Sequence, residues 1–242
     1  MRFCGASAGQ ARKGGVVAKQ YGVPGEWARV RGTVLSLWPL FLSFAMLGAF
    51  LAALVLGAGT WLFGGLFVAS LISVSVYWQK GMRRVESFFR GARGEERVAT
   101  VLAGLPDTYH VFNDFIAGGD HVDHVVVGPA GVFSVETKSW QGKVEVVERH
   151  VLVNGRLPTR DPLSQAQKEA DRVRAEMKNM GFGVTVTPLL CFASDTFVQG
   201  VVSCGEIKVM NADAMDGWFA SQPVAMPEND LNRLVSLMKT GR

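Results

Sequence analysis

The stretch Val122-Asp-His-Val-Val-Val-Gly-Pro-Ala-Gly-Val-Phe-Ser-Val-Glu-Thr-Lys138 decides how the folded part of this chain is built. Two β-branched runs, at residues 121–127 and 131–138, are joined by Gly128-Pro129-Ala130, which predicts a β-hairpin. Side chains alternate along a strand, so Glu136 and Lys138 share one face while Val135 and Thr137 share the other. Asp123 lies on the preceding strand, and the turn brings the two strands together. Setting a carboxylate beside an ammonium in so apolar a strand carries a desolvation cost for both groups.

Outward from the hairpin, helix and strand patterns alternate. Glu95 to Leu105 places Val98, Val101, Leu102 and Leu105 at helical spacing. Glu95 precedes Val98 by three and Leu102 by seven residues and projects from that apolar face, while Glu96 turns towards solvent. A short strand is predicted at 109–115, and 143–153 is expected to continue the sheet with a turn near Arg149 and His150. The run 161–180 forms an amphipathic helix with Leu163, Ala166, Ala170, Val173 and Met177 on one face, ended by Gly181 and Gly183. Buried strands at 184–193 and 206–210 and helices at 213–220 and 228–239 complete the pattern. This order predicts an α/β domain with a mixed central sheet flanked by helices.

Upstream the composition changes. Residues 32–78 contain no Asp, Glu, Lys, Arg or His, which excludes a fully soluble protein. A membrane helix needs about 20 apolar residues, so the stretch fits two, about 34–56 and 61–78, turning at Gly57-Ala58-Gly59-Thr60. Trp38, Trp61, Tyr77 and Trp78 fall near the ends, where aromatic rings favour the interface. Pro39 lies close to the start of the first helix. The run begins too late and is too long for a cleavable signal peptide.

Charge follows the same division. Residues 1–31 hold six basic residues against Glu26, residues 79–93 hold five against Glu86, and residues 94–242 carry a net −5. The overall +4 therefore belongs to the flanks of the apolar stretch and is no nucleic-acid footprint. Basic flanks with an uncharged turn place both termini in the cytoplasm and the hairpin in the cell membrane. Gly48 and Ala52 suit either a lipid-facing surface or a close helix approach that would support a homo-oligomer. The expected organisation is a flexible basic segment (1–31), a transmembrane hairpin (32–78), a basic juxtamembrane linker (79–93) and a folded domain (94–242). Cys4, Cys191 and Cys204 are too few and too scattered for a disulfide framework or a zinc cluster.

Asp123, Glu136, Glu95 and Lys138 converging from separate elements suit metal-assisted chemistry on phosphate. Hard oxygen ligands hold Mg²⁺ or Mn²⁺, and the metal stabilises charge developing on the phosphate. A lysine two residues from a ligand can orient or deprotonate the attacking water. Read singly, Glu136 and Lys138 also suit a cross-strand ion pair, Asp123 a turn cap, His121 and His124 structural roles, and Gln165 a polar helix face.

Gly91-Ala-Arg-Gly-Glu-Glu-Arg-Val98, the hairpin stretch and Asp161-Pro-Leu-Ser-Gln165 together resemble the nuclease-related domain (NERD) family of the PD-(D/E)xK superfamily, over about residues 91–174. The resemblance implies a restriction-endonuclease-like fold and matches Glu95, Asp123, Glu136 and Lys138 to the family's active-site positions, with Gln165 at a further polar position. Asp161 stands where the family commonly has Asn, at a helix N-cap that either residue serves. Two expectations follow. One is a membrane-anchored, Mg²⁺-dependent hydrolase of DNA or RNA at the cytoplasmic face; the other is a non-catalytic binding or assembly module at the membrane.

Overall fold

The expected hairpin forms the centre of a seven-stranded sheet. In the computed structural model, which describes residues 17–57 and 59–240, strand β1 (Lys19–Tyr21) precedes the helices α1 (Glu26–Leu56) and α2 (Thr60–Ala103). Strands β2 (His110–Ala117), β3 (Asp120–Gly128), β4 (Gly131–Lys138), β5 (Val144–Val147) and β6 (His150–Val153) lead into helix α3 (Pro162–Asn179). Strands β7 (Val186–Phe192), β8 (Val202–Cys204) and β9 (Ile207–Asn211) follow, then a 3₁₀ turn (Ala212–Ala214) and helices α4 (Met215–Ala220) and α5 (Glu228–Thr240). The sheet order is β1-β2-β3-β4-β7-β9-β8. β2, β3 and β4 form an antiparallel meander, and β7 returns parallel to β4 after α3. The result is the mixed sheet flanked by helices that the sequence predicts.

Both faces of the sheet are covered. On one, Val98 and Leu102 of α2 with Met215 and Phe219 pack on Val126, Val135 and Leu189. On the other, Ala170, Val173 and Met177 of α3 with Leu234 of α5 pack on Phe112, Val125 and Val127. Fully burying each such Val, Leu, Phe or Met contributes about 1.5–3 kcal/mol. Cys191 and Cys204 are buried free thiols; Cys4 lies outside the described residues. Helix α3 starts where Asp161 accepts the N–H groups of Leu163 (3.1 Å) and Ser164 (3.2 Å), with Pro162 next to it.

Helix α1 and residues 60–79 of α2 are each long and apolar enough to cross a membrane. They pack against each other as an antiparallel pair: Tyr77 Oη donates to the Leu35 carbonyl (2.6 Å), and the Phe50 and Phe67 rings stack at 6.4 Å. Their outer surface is bare, with Phe41 70% and Trp61 96% exposed. Gly48 and Ala52 are both exposed on that surface, and a Cβ on Gly48 would meet nothing within 4 Å.

Three expectations about boundaries are corrected. Residues 17–31 are not a flexible segment: β1 pairs parallel with β2, Ala18 is buried with its N–H on the Leu105 carbonyl (2.8 Å), and α1 begins at Glu26. Residues 1–16 lie outside the described residues. The linker expected at 79–93 is helical, because α2 runs unbroken from the apolar stretch into the folded domain. Val85 and Ala92 are buried along it, and Arg90 and Glu86 pair one turn apart at 2.9 Å. Finally, β5 and β6 do not extend the main sheet but pair as a separate two-stranded ribbon, where Val144 and Val151 pack against Leu190, Phe192 and Leu163.

Candidate active site

The paired ladder between β3 and β4 ends at His124 opposite Val135. Beyond that point the Thr137 N–H donates to Asp123 Oδ2 at 2.8 Å, so the Asp123 carboxylate takes the place of a strand partner. Val132 and Val125 of the same two strands face α3, and alternation puts Asp123, Glu136 and Lys138 on that side. Glu136 is 2% exposed and ion-paired with Lys138 Nζ. Lys138 Nζ also donates to Gln165 Oε1 (2.9 Å) in the first turn of α3.

Glu95 arrives from the other face of the sheet on α2. The helix approaches the ends of β4 and β7 so closely that a Cβ on Gly94 would lie 1.7 Å from Ser139 Oγ. Glycine at this position lets Glu95 reach the cleft. Glu95, Asp123, Glu136, Lys138 and Gln165 all line one cavity of about 800 Å³. Trp140, Arg90 and Arg160 stand on its walls. Every residue singled out in the sequence is thus brought together.

One participant went unread. Glu169, one turn after Gln165, accepts from Gln165 Nε2 (3.2 Å) and meets Glu136. Glu136 Oε2 and Glu169 Oε2 are both buried without a donor among the described residues. A single proton satisfies both oxygens, and burial, then the contact with Glu136, pushes the Glu169 carboxyl up to about 11, so it holds that proton at neutral pH. The available sequence signal was spacing: Glu169 interrupts the apolar stripe between Ala166 and Ala170.

The electrostatics of the cleft are those of crowded carboxylates. Burial, followed by Asp114 and Glu136, pushes Glu95 up to about 7. Burial, then Glu136 and Glu95, raises Asp123 well above the ordinary carboxyl value. Burial works against the Lys138 ammonium, yet Glu136, Asp123 and Glu169 outweigh it and keep its pKa above the usual lysine value. Lys138 therefore stays charged, which suits neutralising a phosphate and removes it as a proton acceptor for water. His124 is structural: its Nδ1 bonds Asn113 Oδ1 (2.8 Å), and burial lowers it to about 3. His121 pairs with Asp114 at 2.7 Å.

A model of the family described as nuclease-related domain matches residues 90–193. Residues 90–193 form a nuclease-related domain. Its span runs from within α2 to the residue after β7, and encloses Glu95, Asp123, Glu136 and Glu169. Neither curated proteins nor solved structures yield a match to the chain.

The oxygen donors of this domain suit a hard cation. Asp123, Glu136 and Glu95 repel one another in a buried cleft, a strain that a divalent ion relieves. Among the described residues the three do not form a closed metal cluster, so binding would draw the side chains inward.

Proposed function

We propose that the nuclease-related domain is a metal-dependent phosphodiesterase acting on DNA or RNA, anchored by the α1–α2 hairpin at the cytoplasmic face of the membrane. The observation that carries this reading is the convergence of Asp123, Glu136, Lys138, Gln165 and Glu95 on one cleft from β3, β4, α3 and α2. Asp123 and Glu136, with Glu95, would hold Mg²⁺ or Mn²⁺. The bound cation would supply Lewis-acid stabilisation of charge developing on the phosphate.

The chain's own groups have separate tasks. Lys138, fixed between Glu136 and Gln165, presents an ammonium to the phosphate. Gln165 holds Lys138 through its carbonyl oxygen and Glu169 through its amide. Protonated Glu169 caps Glu136 Oε2, so a cation would meet Oε1, the oxygen that Lys138 already pairs with. Arg90 and Arg160 on the cleft walls supply local positive charge against the net −5 of residues 94–242. The bare apolar surface of α1 and α2 supports a lipid environment, and the basic residues on both flanks support cytoplasmic termini.

A non-catalytic module at the membrane is the second reading, favoured by the net −5 of residues 94–242 and by carboxylates that, among the described residues, form no closed cluster. Incubating the purified full-length protein with several DNA and RNA substrates decides between them. Mg²⁺-dependent cleavage that disappears in Asp123→Ala supports the enzyme. Absence of cleavage on every substrate, with the fold intact, supports the module.

A further inference from the structure

The nuclease-like cleft is not built by the nuclease-related domain alone. Ala28 of α1 and Phe88 of α2, both outside residues 90–193, line the same cavity as Asp123 and Glu136. The turn that leads into α1 is held there by contacts of unusual closeness. Gly25 has φ +69°, and a Cβ on it would lie 2.8 Å from Ala92 Cα, so only glycine fits. Ala92 lies one turn before Glu95 on α2, and the nearby Gly25 amide favours the charged form of the Glu95 carboxyl.

Gly25 is the N-cap of α1 and has no side chain to cap the helix. Asp114 of β2 supplies the missing group from across the fold: its Oδ2 accepts the Trp27 N–H at 2.9 Å. Asp114 does so from a left-handed backbone, φ +50°, which an aspartate adopts at a cost and keeps where surrounding contacts enforce it. Arg29 adds a clamp, donating to the Pro24 carbonyl (2.9 Å) and pairing with Glu96, the neighbour of Glu95 on α2. Trp27 packs on His121 at 5.2 Å with Arg31 over its ring at 4.6 Å.

We propose that the turn entering the first membrane helix is a positioning element of the active cleft: Gly25, clamped by Asp114 and Arg29 and packed on Ala92, fixes the turn of α2 that presents Glu95 to a divalent cation. The inference rests on the metal-dependent reading of the cleft. It makes Gly25 and Arg29 positioning residues, since both act through Glu95. The membrane hairpin then contributes to cation affinity as well as to anchoring.

Mn²⁺ binding to the full-length protein in detergent, followed by electron paramagnetic resonance, tests this. Gly25→Ala and Arg29→Ala should each weaken Mn²⁺ binding, Gly25→Ala by about tenfold, as expected when a group that orients a metal ligand is disturbed. In a Glu95→Gln background the same two substitutions should produce no further loss, because the group they orient is no longer a carboxylate ligand. Arg29→Ala is a surface change and carries the test if Gly25→Ala fails to fold. Equal losses in both backgrounds, or no loss in either, would overturn the positioning role while leaving the metal reading standing. A native protein whose Mn²⁺ signal is unaffected by Asp123→Asn would overturn the metal reading and this inference together.

Discussion

Glu95 is the residue in which the electrostatics of the cleft are most open to measurement. Its carboxyl, at about 7 in the folded protein against an ordinary 4.5, retains a proton that the unfolded chain has released. Stability from this group is therefore full below pH 4.5 and lost as pH rises to about 7, at a slope of at most about 1.4 kcal/mol per pH unit. His124, lowered to about 3, works in the opposite sense below pH 6.5, so the native curve alone mixes two effects. The difference from Glu95→Gln isolates one. In the absence of divalent cations, Glu95→Gln should melt at the same temperature as the native protein near pH 4.5 and several degrees higher at pH 7.5. Thermal melts across that range check it, and a difference independent of pH contradicts the assignment.

Some elements are held by local pattern and others by distant contact. The β3–β4 hairpin and α3 carry their own signals, a Gly-Pro-Ala-Gly turn between valine runs and an Asp161-Pro162 helix start, and both form where the residues say. Strand β1 has three residues, too few for alternation to register, and is held by pairing with β2, 91 positions away. Strand β8 is equally short and pairs with β9. The continuity of α2 was hidden by the change from apolar to basic composition near residue 79, although no proline interrupts it. Within the cleft, Glu95, Asp123, Glu136 and Lys138 were legible because strand alternation and helical spacing fix where they point, whereas Gln165 was singled out only by the family resemblance. Asp114 and Gly25 were not legible, since their role depends on contacts between elements far apart in sequence. Deleting residues 1–24 removes β1 and its buried Ala18, so the truncated protein should melt at least several degrees below the native one, as calorimetry would show. An unchanged melting temperature contradicts the docking of β1.

For the whole molecule, the hairpin and the nuclease-related domain form one connected structure, because α2 belongs to both. The apolar turn at Gly57–Gly59 and the folded domain lie at opposite ends of the hairpin, so one side of the membrane is expected to see each. Reporter fusions at Gly59 and after Arg242 should report an external turn and a cytoplasmic C-terminus. An external C-terminus would separate the domain from cytoplasmic nucleic acid. Whether Asp123 and Glu136 bind a divalent cation while Lys138 acts on the phosphate is decided by the Mg²⁺ response of the melting temperature in the native protein, Glu136→Ala and Lys138→Met. Mg²⁺ should raise the native melting temperature. Lys138→Met leaves Glu136 buried without its counter-ion, so it should be destabilised by about 3 kcal/mol without Mg²⁺ and largely restored with it. Glu136→Ala should show no Mg²⁺ response. A Glu136→Ala protein that is stabilised by Mg²⁺ as strongly as the native one would contradict the account.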